Sequence, residues 1–94
     1  KVWPNEVENI MLRHPAIAEV CVVSAPDARR GETVRAFVIP ARDADPQPAD
    51  IIAWCRDNMA AYKCPSEVVV QATLPRSATG KLQWRELQDA AWRV

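Results

Sequence analysis

The chain has 94 residues, 49% of them hydrophobic and 26% charged, with twelve lysines and arginines balanced by twelve aspartates and glutamates. This is the length of one small domain, too short for a dinucleotide-binding unit plus a partner, and it buries only roughly 60–65% of the surface its unfolded chain exposes, which leaves no room for a deep, enclosed active site. A net charge of zero excludes the field that draws a protein to nucleic acid or to an anionic membrane surface.

Along the chain, Pro4 to Arg13 predicts a short amphipathic helix. Proline sits at its first position, Glu6 and Glu8 lie in its first turn, Val7, Ile10 and Met11 share one face, and Pro15 stops it. Ala18 to Ser24 is rich in valine and Thr33 to Ile39 alternates, which predicts two antiparallel strands around an eight-residue loop, Ala25 to Glu32. Ala49 to Met59 places Ile51, Ile52, Cys55 and Met59 on one helical face. Three consecutive valines between Glu67 and Gln71 predict a third, largely buried strand, and Gln83 to Trp92 returns to helical spacing through Trp84, Leu87, Gln88 and Ala91. The order helix, strand, strand, helix, strand, helix predicts an α+β fold, a small mixed three-stranded sheet with helices packed on it. Leu74 to Lys81 has no apolar periodicity and is expected to be an exposed loop.

The longest uncharged apolar stretch, Val20 to Ala25, falls far short of the roughly 20 residues of a spanning helix, so no transmembrane segment is expected. Nothing at the N-terminus has the form of a signal peptide, and the chain reads as cytoplasmic. Cys21, Cys55 and Cys64 lack zinc or redox spacing and His14 is the single histidine, so no metal site is expected within the chain and the thiols read as reduced and mostly buried.

Chemistry-bearing residues are few. The two glycines, Gly31 and Gly80, both fall in predicted loops beside charged residues. Only three lysines stand against nine arginines, and apart from Lys1 they are Lys63 and Lys81. A lysine is a compact charge on a flexible stem, suited to reaching several oxygens in a neighbouring cleft. Taken alone, Lys81 reads first as a solvated turn lysine. It does not belong to a Walker A loop, because Pro75 stands where the first glycine should and no hydroxyl follows Lys81.

Pro75-Arg76-Ser77-Ala78-Thr79-Gly80-Lys81-Leu82, followed by Arg85 and Leu87, resembles the final core motif of the adenylate-forming superfamily, which includes acyl-CoA synthetases, peptide-synthetase adenylation domains and luciferases. Trp3-Pro4-Asn5-Glu6-Val7-Glu8, His14-Pro15-Ala16-Ile17, Val22-Val23, Pro26-Asp27 through Gly31-Glu32, and Tyr62-Lys63-Cys64-Pro65 are similar to that family's C-terminal domain, in order and at the usual spacing. The resemblance covers essentially the whole chain, and its opening segment is similar to the acyl-CoA synthetase version. The family often has two adjacent arginines after the Gly-Lys segment, where this chain has Trp84 and then Arg85.

The resemblance implies the mobile lid of an AMP-forming acid–thiol ligase. Such enzymes join a carboxylic acid, here a fatty acid, to ATP and pass the acyl group to coenzyme A. It implies that Lys81 is catalytic, that Gly80, Lys63, Arg29 and Arg30 are candidate contacts to ATP or coenzyme A, and that Lys81 is open to a protein acetyltransferase. It further implies that the large N-terminal adenylation domain, with its magnesium ion, its acyl pocket and the hinge, precedes Lys1, and that these residues alone are inactive. Bland alternatives stand beside these roles: a solvated charge pair for Arg29 and Arg30, a structural role around Lys63, packing and helix initiation for Trp3, Glu6 and Glu8, and core or interface positions for Trp54 and Trp92. Two alternative functions remain open, a ligase that loads a carrier-protein pantetheine and a stand-alone, non-catalytic interaction module.

Overall fold

A computed structural model describes residues 2–93. Its elements are α1 (Pro4–Met11), β1 (Ile17–Asp27), β2 (Gly31–Pro40), α2 (Pro48–Asn58), a 3-10 turn (Ala61–Lys63), β3 (Glu67–Val70) and α3 (Trp84–Trp92). The strands form one sheet in the order β1-β2-β3, antiparallel between β1 and β2 and parallel between β2 and β3, with α2 in the crossover. This is the predicted α+β fold with its mixed three-stranded sheet.

Proline at the start of α1 and of α2 supplies the helical φ and removes an amide that would have had no acceptor. Helix α1 ends at Met11, short of the expected Arg13, because the chain tightens there. The Arg13 and His14 amides donate to the Ile10 and Met11 carbonyls three residues back, at 3.0 Å each. The largest departure is at the first hairpin. Instead of an eight-residue loop, the strands continue until Asp27 pairs with Gly31, leaving only Ala28, Arg29 and Arg30 between them. Asp27 Oδ1 accepts the Arg29 amide at 2.8 Å, and Gly31 takes φ +82°, a left-handed position that glycine occupies without strain. Pro26 is tolerated inside β1 because that strand lies at the sheet edge.

Strand alternation divides the core. On one face, Val20, Val22, Ala36, Val38 and Val68 pack with Val7 and Met11 of α1 and Ile51 and Cys55 of α2. On the other, Cys21, Val23 and Phe37 pack with Leu74, flanked by half-buried Leu82 and by half-buried Leu87 of α3. Ile51 and Met11 are fully buried, so truncating either to alanine costs about 2–5 kcal/mol. Strand β3 is less buried than its valines suggest: Val68 is buried while Val69 and Val70 are half-exposed, as befits an edge strand.

The outer edge of β1 is closed by side chains. Glu8 accepts the Val22 amide at 2.8 Å, Gln88 accepts the Ser24 amide at 3.2 Å, and Trp92 Nε1 donates to the Ser24 carbonyl at 3.1 Å. These bonds satisfy groups that an open edge would offer to another chain. All three cysteines are free, Cys21 and Cys55 buried and Cys64 half-buried. Trp54 packs half-buried against the core with its ring 5.1 Å from that of His14. Trp3 is 62% exposed, and its carbonyl accepts the Glu6 amide at 3.0 Å and the Val7 amide at 3.3 Å at the start of α1. Among the described residues no helix is long and apolar enough to cross a membrane.

Candidate functional site

The segment after β3 is exposed, as expected, but it is not loose. Its two ends are pinned in the second core cluster by buried Leu74 and half-buried Leu82. Between them Arg76 and Leu82 form an antiparallel bridge, and the Gln83 amide donates to the Pro75 carbonyl at 2.9 Å. Ser77 ties the tip together. Its amide donates to the Lys81 carbonyl and its carbonyl accepts the Gly80 amide, both at 2.9 Å, while its Oγ accepts the Lys81 amide at 3.2 Å. Gly80 has φ +84°, the left-handed turn that lets the chain reverse into Lys81. The result is a closed hairpin with Gly80 and Lys81 at its tip. The Lys81 side chain is exposed and has no hydrogen bond or ion pair among the described residues.

Lys63 is differently placed. It lies at the end of the 3-10 turn and its ammonium is ion-paired with Glu6 of α1, 5.7 Å from the Tyr62 ring centre. The bond to the Glu6 carboxylate holds its pKa above the usual lysine value. Lys63 thereby ties the turn to α1, and Glu6 serves as its partner rather than only as a helix-start charge. Arg29 and Arg30 are exposed at the β1–β2 hairpin, with no side-chain ion pair between them and any described residue.

Two open clefts flank these groups. One of about 660 Å³ is lined by Pro4, Val22, Arg30, Tyr62 and Cys64 among others, so it adjoins both the hairpin and the Lys63 turn. The second, of about 380 Å³, is bounded by Trp3, Pro4, Val22, Leu82, Trp84 and Gln88. Pro4 and Val22 belong to both, which brings the hairpin and the base of the Lys81 loop to neighbouring hollows. Trp84 is 46% exposed at the start of α3, with the Arg85 guanidinium 5.3 Å from its ring centre. The chain therefore presents one arginine stacked on an indole at the start of α3.

The remaining electrostatics are structural. Burial raises the Glu8 carboxyl above its ordinary value, and the bond from the Val22 amide partly offsets it. Burial, with the Glu8 charge nearby, pushes the Cys21 thiol up to about 11, and burial pushes Cys55 to about 11 as well. These thiols stay protonated at neutral pH and are poor nucleophiles. Among the described residues no group of three His, Cys, Asp or Glu side chains could hold a metal ion, so no magnesium chemistry is assigned to them.

Edge bonds at Glu8 and Gln88 and the ion pairs of Glu6 and Arg76 were not legible in the sequence. They join residues 14 to 64 positions apart, and no local pattern signals such a pairing.

Comparison with known proteins gives this arrangement a context. A fatty acid–acyl-carrier-protein ligase of Streptomyces coeruleorubidus is 41% identical over 91 residues, covering 97% of this chain and 18% of that protein. A human mitochondrial acyl-coenzyme A synthetase is 36% identical over 99 residues, covering 100% of this chain and 17% of that protein. The crystal structure of ATP-bound MatB from Rhodopseudomonas palustris superimposes with a TM-score of 0.87 at 29% identity, covering 95% of this chain and 18% of that one. The chain thus spans less than a fifth of the length of these proteins. In each case it corresponds to one domain of a larger enzyme. The match of residues 6–81 to one family description, over the same elements that carry the sheet and the Lys81 loop, shows that the chain belongs to the AMP-binding enzyme C-terminal domain family.

Proposed function

We propose that this chain is the mobile C-terminal domain of an AMP-forming acyl-CoA synthetase, and that Lys81 is the cation it supplies to the first half-reaction. In that step a carboxylate oxygen attacks the α-phosphorus of ATP and the bond to pyrophosphate breaks, leaving an acyl-adenylate. In the second, the thiol of coenzyme A attacks the acyl carbon and AMP departs. The first step brings two anions together and builds charge on phosphoryl oxygens, which a preorganised cation offsets. Two unit charges about 4 Å apart are worth roughly 4 kcal/mol at an effective dielectric near 20.

The observation that carries the reading is the Lys81 loop itself, an exposed hairpin with a firm base and an ammonium left without a partner among the described residues. A lysine held within this domain, as Lys63 is by Glu6, would have to give up a partner before it could act. A small domain hinged to the larger N-terminal adenylation domain carries Lys81 in for adenylation and out again before the thiol enters. Magnesium accompanies ATP on that larger domain. Gly80 turns the loop toward its lysine, and Arg29, Arg30 and Lys63 border the approach that phosphates of coenzyme A would take.

In the full-length enzyme, Lys81→Ala should slow adenylation on the order of 10²-fold or more while sparing thioester formation from a supplied acyl-adenylate. Lys81→Arg should fail largely as well, because a planar fork does not reproduce the reach of an ammonium. Acetylation of Lys81 by a protein acetyltransferase removes the same charge and should silence the same step. Single-turnover measurement of each half-reaction decides the matter, and equal losses in both would refute the lid role. A second reading is favoured by the Streptomyces relative, whose name specifies transfer to an acyl carrier protein. A pantetheine on a carrier offers the same thiol, so comparing coenzyme A with a loaded carrier protein as acceptor separates the two.

A further inference from the structure

Arg76 makes three contacts, two within the Lys81 loop and one that joins the loop to the sheet. Its backbone bridges to Leu82 across the hairpin, its Nη1 donates to the Gly80 carbonyl at 3.1 Å, and its Nη2 is ion-paired with Glu19 of β1. Glu19 is available because β1 is irregular at that point. Ile17 pairs with Pro40 and Glu19 with Ile39, so Ala18 is an extra residue in the ladder. Without it, strict alternation would set Ile17 and Glu19 on one face. With it, Ile17 packs in the α1–α2 cluster, while Glu19 falls on the face of Cys21 and Val23, where the loop lies.

We propose that Arg76 and Glu19 are positioning residues for Lys81, a tether from β1 that fixes the direction in which the loop tip presents its ammonium during adenylation. The inference rests on the role proposed for Lys81. Leu74 and Leu82 already fix the base of the hairpin, so the tether has little left to contribute to folding. The Arg76 and Glu19 side chains are 37% and 48% exposed, and an ion pair so open to water adds almost nothing to stability. What it restrains is the tip. One guanidinium face holds the carbonyl of the residue before Lys81 while the other is held by the sheet, a two-ended bridge that a point charge cannot make. Reaction rates are sensitive to such placement, since a displacement of about 1 Å at a reacting group costs up to about 10²-fold.

The test uses the full-length enzyme with Glu19→Gln, Arg76→Gln, the double variant and each in a Lys81→Ala background. Single-turnover rates are measured for adenylation and for thioester formation from supplied acyl-adenylate, together with the thermal midpoint. Each single variant should slow adenylation on the order of 10-fold to 10²-fold, leave thioester formation and the midpoint unchanged, and add nothing to the loss caused by Lys81→Ala. The double variant should be no slower than the worse single one. Equal losses in both half-reactions, a further loss on top of Lys81→Ala, or full adenylation by Glu19→Gln would each overturn the tether. Lys81→Ala with full adenylation activity overturns the role of Lys81 and the tether with it. A crippled Lys81→Ala beside a fully active Glu19→Gln overturns the tether alone.

Discussion

Glu8 illustrates how much one residue can do outside the chemistry. Its carboxylate is partly desolvated so that it can accept the Val22 amide on the edge of β1. Removing the acceptor with Glu8→Ala leaves that amide unsatisfied beside the core, at a cost of about 1–3 kcal/mol. Glu8→Gln keeps an acceptor oxygen and removes the partly desolvated charge. Because burial raises the native pKa, the folded chain holds this proton to higher pH than the unfolded one, so the contribution of Glu8 falls as pH rises through the window above the ordinary value of 4.5. Glu8→Gln should therefore match or exceed the parent at pH 7, lose part of the stability decline above pH 4.5, and differ in sign from Glu8→Ala. Chemical denaturation at a series of pH values measures both. A parent chain that gains stability as pH rises above 4.5, with Glu8→Gln unchanged, would show that the charge is not buried at cost.

At the scale of elements, α3 differs from the other two helices. It has no fully buried residue, whereas α1 contributes Val7 and Met11 and α2 contributes Ile51 and Cys55. It is held by half-buried Leu87 and by Ser24, which donates to Gln88 Oε1 and accepts from Trp92 Nε1. Elements with few buried apolar contacts open first. Gln88→Ala combined with Trp92→Phe should therefore accelerate amide exchange through Trp84–Trp92 by about tenfold or more, while β1 and β2 keep their protection. Hydrogen exchange read residue by residue checks this, and an equal loss of protection throughout would show that α3 is part of the cooperative core.

For the whole molecule, a radius of gyration of 12.8 Å is close to the roughly 12 Å expected of a compact chain this long, and the core occupies both faces of the sheet. The domain should thus unfold cooperatively by itself, yet remain silent in carboxylate-dependent pyrophosphate release. Its clefts are open, and its only two glycines serve turns rather than a phosphate loop. Thermal unfolding and pyrophosphate release measured on one sample test both halves of the statement. Release above background from these residues alone would contradict the need for a larger partner domain.

The sequence by itself determined the element order, the three strands and three helices, and the Gly80–Lys81 loop, because each is written in local terms: proline at helix starts, alternation along strands, glycine at the turn. The family was equally legible, since its motifs are runs of adjacent residues. The length of the first hairpin was missed because Asp27 and Gly31 close it by backbone geometry that strand propensity does not register. Only the tertiary structure could decide which charges pair. Lys63 meets Glu6, Arg76 meets Glu19, and Lys81 is left open, although all are charged residues in polar surroundings along the chain. Those choices depend on a bulge at Ala18 and on helices packed across the sheet, and such contacts form between residues 57 positions apart only when the whole chain has folded.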